Sequence, residues 1–78
     1  MEELRIYLNG LSRGAQENFA LRCGTTIGYL RKTLSLNTEL GPLLCSLIEQ
    51  ESDQQVTRVK LRPNDWQKIW PELATKAA

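Results

Sequence analysis

The chain has 78 residues, 41% hydrophobic and 24% charged, with a formal net charge of +1, which suits one ordinary globular domain with a single small core. No apolar run approaches the roughly 20 residues of a membrane span, and Met1-Glu2-Glu3-Leu4-Arg5 lacks the basic-then-apolar order of a signal peptide, so a cytoplasmic protein is expected. Histidine is absent, which removes the commonest general base, and Cys23 and Cys45 stand outside any CxxC spacing, so neither an enzyme nor a metal or cofactor is expected.

In chain order, Leu4, Tyr7, Leu8 and Leu11 recur at i, i+3, i+4 and i+7 and predict an amphipathic helix from Glu2 to about Leu11. Ser12 is placed to cap a second helix running through Gln16, Phe19, Ala20 and Arg22, and Gly24 supplies the left-handed residue that ends it. Thr25-Thr26 then caps a third helix through Ile27, Leu30, Arg31, Lys32 and Leu34. Ser35 to Gly41 reads as a loop. Pro42 opens a fourth helix with the apolar stripe Leu43, Leu44, Leu47 and Ile48, fading after Glu51. Gln54 to Leu61 is ambiguous between an extended segment and a loop, with the extended reading preferred. Pro63 and Asp65 begin a last turn bearing Trp66, Ile69 and Trp70, which Pro71 stops, and the tail Ala74 to Ala78 is expected to fray.

The charges are segregated. Residues 1–34 carry Arg5, Arg13, Arg22, Arg31 and Lys32 against Glu2, Glu3 and Glu17. Residues 35–55 carry only Glu39, Glu49, Glu51 and Asp53, and residues 56–78 carry Arg58, Lys60, Arg62, Lys68 and Lys76 against Asp65 and Glu72. Two basic segments therefore flank an acidic one, and one side of a nearly neutral molecule can still be positive.

Residues 16–35 have the order of a helix-turn-helix: Ala20 where two helices cross, Gly24 at the sharp turn, and Phe19, Cys23, Ile27, Leu30 and Leu34 closing a core between them. The polar residues of the third helix then face outward, free to enter a major groove. Arg31 and Lys32 are either solvated charges or DNA contacts, and Arg31 is the better candidate for base readout because its planar fork matches guanine O6 and N7. Gly28 allows close backbone approach to DNA or is a tolerated weak point. Tyr29 reaches the sugar-phosphate or packs at the domain edge. Trp66 and Trp70 cover the core or form a dimer contact. Ser12, Ser35 and Ser46 have no base in a recognisable motif and read as caps and surface positions.

The run Phe19-Ala20-Leu21-Arg22-Cys23-Gly24-Thr25-Thr26-Ile27-Gly28-Tyr29-Leu30-Arg31-Lys32, the helix end at Ile48-Glu49, and Val56-Thr57-Arg58 followed by Leu61-Arg62-Pro63-Asn64-Asp65-Trp66 resemble the Cro/CI-like, YdaS-like prophage regulators of the lambda-repressor-like class. The resemblance spans about residues 4–74. It implies an all-α bundle of about five short helices over residues 1–74, with residues 75–78 a frayed tail and a short extended C-terminal segment allowed by the reading above. It also implies a repressor that binds operator DNA as a homodimer, located with the nucleoid. Carried onto this chain, base-edge contacts come from Thr26, Ile27, Gly28, Tyr29, Arg31 and Lys32, and phosphate contacts from Gln16 and Thr25. Where relatives have a Gly- and basic-rich loop, this chain has Ser35-Leu36-Asn37-Thr38-Glu39-Leu40, which removes the basis for backbone contacts there. The competing expectation is an antitoxin-like module that neutralises a toxin or other protein partner through the acidic fourth helix and the Trp66/Trp70 segment, and that also regulates its own operon.

Overall fold

Leu4 and Leu8, one helical turn apart, are both closed off from solvent, while their neighbour Ile6 is 65% exposed. The computed structural model describes residues 2–76. Among them the elements are all helical: α1 (Glu2–Asn9), α2 (Arg13–Arg22), α3 (Ile27–Leu36), α4 (Pro42–Glu51), α5 (Arg58–Leu61), α6 (Trp66–Ile69) and α7 (Pro71–Lys76). The protein is an all-α bundle. α2 packs against α3 and α4, α5 packs against α1 and α4, and α6 folds onto α7. Phe19, Ala20, Cys23, Leu30, Leu40, Cys45, Ile48, Val56, Leu61 and Trp70 join Leu4 and Leu8 in one buried cluster. No helix among the described residues is long and apolar enough to cross a membrane.

The helix ends follow local chemistry. The Ser12 hydroxyl accepts from the Ala15 amide at 3.2 Å, a cap that contributes about 1 kcal/mol. Gly24 has φ +78°, and around it the Gly24 amide donates to Leu21 O at 2.9 Å and the Thr25 amide to Ala20 O at 3.0 Å. This pair of reversed hydrogen bonds satisfies carbonyls that the helix end leaves open. Thr26 caps α3 through the Tyr29 amide, and Pro42 occupies the first turn of α4, both as expected.

The structure corrects several readings. The expected loop from Ser35 begins later, because α3 continues through Leu36 and ends on Asn37 in the left-handed conformation, φ 53°. The segment Gln54 to Leu61 is not extended. Ser52 Oγ accepts from the Val56 amide at 3.1 Å, left-handed Asp53 and Gln54 turn the chain, and Thr57 then caps the short α5. The turn bearing Trp66 and Ile69 does stop before Pro71, as expected, but Pro71 also starts a further helix, α7, where its missing amide donor costs nothing. The expected frayed tail is thus helical through Lys76, and Ala77 and Ala78 lie outside the described residues. The described residues form seven helices where about five were expected. Finally, of the expected stripe on α4, Ile48 is buried and Leu44 and Leu47 pack against the core, but Leu43 is 74% exposed.

Candidate nucleic-acid interface

The α2–turn–α3 unit is set by three buried residues. Ala20 is fully buried, so α2 meets its neighbours with only a methyl group between them, and Phe19 and Leu30 are also fully buried. Phe19 is held by Tyr7 of α1, with ring centroids 5.1 Å apart at 58°. Ile27 and Leu34 pack against this cluster from its edge.

With Ile27, Leu30, Thr33 and Leu34 turned inward, the opposite side of α3 presents Gly28, Lys32 and Ser35, spaced i, i+4 and i+7 and all exposed. Arg31 and Tyr29 flank this row on opposite sides. Tyr29 is 47% exposed and borders an apolar groove with Pro42, Leu43 and Leu47 of α4. The Arg31 guanidinium Nη2 donates to Gln16 Oε1. Ser35 joins the row because α3 is longer than expected; the signal available in the sequence was Asn37, a residue that tolerates the left-handed helix end.

The other expected contacts are arranged as follows. Gln16 is buried, and its amide nitrogen donates to Leu8 O at 2.7 Å and Leu11 O at 3.3 Å. A neutral amide has two N–H donors, so Gln16 keeps none for a phosphate. Its role is to tie α2 to the end of α1 and to hold Arg31. The Thr25 amide is engaged with Ala20, and its side chain is half-buried beside the turn. The exposed Thr26 hydroxyl accepts from Tyr29 N at 3.2 Å. Ile27 is half-buried in the core edge, which leaves it less to offer a base than its neighbours.

Electrostatics divide the molecule. Three of the four carboxylates of the acidic segment are bound by arginines from outside it: Glu51 by Arg22 at 3.0 Å, Glu49 by Arg58 at 3.0 Å and Glu39 by Arg62 at 3.7 Å. Arg58 also lies over the Trp70 ring, 5.3 Å from its centroid. Both tryptophans serve the core, Trp70 buried in it and Trp66 packed against it. By contrast Arg13, Arg31 and Lys32 form no salt bridge among the described residues, and Arg5 meets only Glu2 at 3.5 Å, with both side chains mostly exposed. Lys60 of α5 and Lys68 of α6 are likewise outside any salt bridge among the described residues, as are Glu3 and Glu17, so what distinguishes α3 is that it carries two unpaired cations and no carboxylate.

The two thiols stand apart from this surface. Burial pushes both Cys23 and Cys45 up to about 11, so neither is a thiolate at neutral pH. Comparison with known protein families, with characterised proteins and with solved structures gives no match for this chain.

Proposed function

We propose that the chain is a sequence-specific DNA-binding regulator of transcription, in which α2 and α3 act as a helix-turn-helix and α3 lies in the major groove. One observation carries the reading: a short, well-capped helix presents a row of small and cationic residues, Gly28, Lys32 and Ser35, whose charge no carboxylate among the described residues pairs with. Ten helical residues span about 15 Å, and the groove is about 12 Å wide, so α3 inserts along most of its length. Lys32 sits at the centre of the row, within reach of base-edge acceptors. Gly28 lets the backbone come close. Thr25, Thr26 and Tyr29 border the row at its start.

In this reading two copies sit on a two-fold related operator and occlude a promoter, as in the Cro/CI-like regulators that residues 19–32 resemble. The antitoxin-like alternative has less support, because Glu39, Glu49 and Glu51, the acidic groups it relies on, are already occupied by arginines of the same chain.

The test is a titration of the full chain against the DNA flanking its own gene at low and moderate salt, with Lys32→Ala alongside. The expected result is binding that weakens with salt, through release of condensed counterions, and a loss of site preference in the variant. Absence of binding at either salt would refute the reading, and recovery of a bound protein instead would favour the alternative.

A further inference from the structure

We propose that a cleft between α1 and α3 is a binding site for one phosphodiester phosphate, gripped by the guanidinium groups of Arg5 and Arg31. This rests on the DNA-binding reading above and names the part of the site that holds the backbone. The cleft has a volume of about 360 Å3 and is lined by Arg5, Leu8, Asn9, Arg31, Leu34 and Ser35. Two cations and no carboxylate line it.

Each guanidinium is oriented by a neutral acceptor, which fixes its direction without cancelling its charge. Arg5 Nη2 donates to the Leu34 carbonyl at 3.3 Å, and Arg31 Nη2 donates to Gln16 Oε1. A guanidinium has five N–H donors, so four remain on Arg31 and three on Arg5, whose Nε faces Glu2 Oε1 at 3.5 Å. The anchor of Arg31 is itself fixed, because Gln16 is 8% exposed and its amide cannot turn over without losing the bonds to Leu8 O and Leu11 O. The carboxylate paired with Arg5, Glu2, has a side chain 70% exposed, and an ion pair so hydrated competes weakly. Planar forks of this kind match the oxygens of a phosphate two at a time.

The cleft borders the row Gly28, Lys32, Ser35 and shares Ser35 with it. A phosphate seated here is therefore one that flanks the groove occupied by α3. Arg31 becomes a backbone clamp, and base reading falls to Lys32 and its neighbours. A lone inorganic phosphate presents the same oxygens and serves as a probe of the cleft without DNA.

The experiment follows the arginine Nε–Hε resonances of the full chain during titration with inorganic phosphate at constant ionic strength. Arg13, exposed and outside the cleft, is the internal reference. Arg5 and Arg31 are expected to shift along one common saturating curve while Arg13 does not, and R5Q or R31Q abolishes saturation at the remaining arginine. Shifts at Arg5 and Arg31 that merely follow Arg13 overturn the site. A second arm measures affinity for a duplex of about 20 base pairs against salt. The double variant R5Q/R31Q is expected to lower the slope of log K against log salt by about one, the contribution of one phosphate. A slope equal to the wild type, with binding still sensitive to K32Q, overturns the cleft and leaves the DNA reading standing. Saturable phosphate binding without duplex binding upholds the cleft as an anion site and removes the DNA reading. Native amide dispersion in each variant excludes misfolding as the cause.

Discussion

The Arg62 guanidinium donates to both oxygens of Asp65, Nε to Oδ1 at 3.0 Å and Nη2 to Oδ2 at 2.7 Å, while its Nη1 donates to the Leu40 carbonyl. One side chain thus fastens the turn before α6 to the loop before α4, although the two are far apart in sequence. Replacing Arg62 by Met keeps its aliphatic stem and deletes the fork. The Leu40 carbonyl then loses a partner in a largely buried position, at a cost of about 1–2 kcal/mol. For a domain of this size the melting temperature is expected to fall by about 4–8 °C per kcal/mol. Arg62→Lys recovers little, because a point charge cannot serve both acceptors in that geometry. Thermal denaturation followed by circular dichroism decides the matter, and an unchanged midpoint in Arg62→Met would show that the tie contributes nothing.

The same contact predicts a pH dependence. The hydrogen bonds from Arg62 hold the Asp65 carboxyl below the ordinary carboxylate range. Because the folded value lies below the unfolded one, about 3.9, the contribution is fully present above that value and is lost as pH falls through the folded one. Urea midpoints of the wild type and Asp65→Asn are expected to differ at neutral pH and to converge as the solution is made strongly acidic. A gap that stays constant down to the lowest pH would mean that Asp65 acts through something other than its charge.

The buried thiols act at the other end of the scale. For Cys23 and Cys45 the folded value, about 11, lies above the ordinary thiol value of 9.0, mainly because burial penalises the thiolate. The neutral thiols therefore lend full stability below the unfolded value, and that stability is lost as pH rises from about 9 towards 11. Two results are expected: alkylation by iodoacetamide at neutral pH that proceeds only as fast as the chain opens, and a urea midpoint that declines across the alkaline range. Rapid alkylation of the native protein at neutral pH would contradict the burial of both sulfurs.

The first half of the chain was legible because its signals are local and redundant. The stripe Leu4, Tyr7, Leu8, Leu11, the cap at Ser12, the glycine at 24 and the cap at Thr26 each point to the same boundaries, and each is found in place. What was missed depends on residues that mimic glycine or reverse a habit. Asn37, Asp53 and Gln54 adopt positive φ without being glycine, so neither the true end of α3 nor the turn after α4 carries a local signal in the sequence as plain as Gly24. Leu43 has the spacing of a core residue, yet the face of α4 centred on Cys45 and Ile48 turns inward and leaves it at the exposed edge of the stripe. The family resemblance assigns Gln16 to phosphate; its burial depends on carbonyls at and just beyond the end of α1, a tertiary fact that no local pattern contains.

Two glycines in the same unit should respond to alanine with opposite signs. At Gly24 nothing lies within 4 Å of an added Cβ, but φ is +78°, a conformation that costs an L-residue about 1–2 kcal/mol. Gly24→Ala is therefore destabilising although it makes no clash. Gly28 also has nothing within 4 Å, and it lies inside α3 with no such φ. There the methyl group raises helix propensity, and Gly28→Ala is expected to stabilise the fold by up to about 1 kcal/mol. Binding separates the two further. If α3 lies in the groove with Gly28 towards the bases, the added methyl group meets DNA, so the more stable protein binds its operator more weakly, while Lys32 retains its salt-dependent contribution. A Gly28→Ala protein that is more stable and binds unchanged would place that face of α3 away from the bases, and the groove-facing row would have to be reassigned to a different side of the helix.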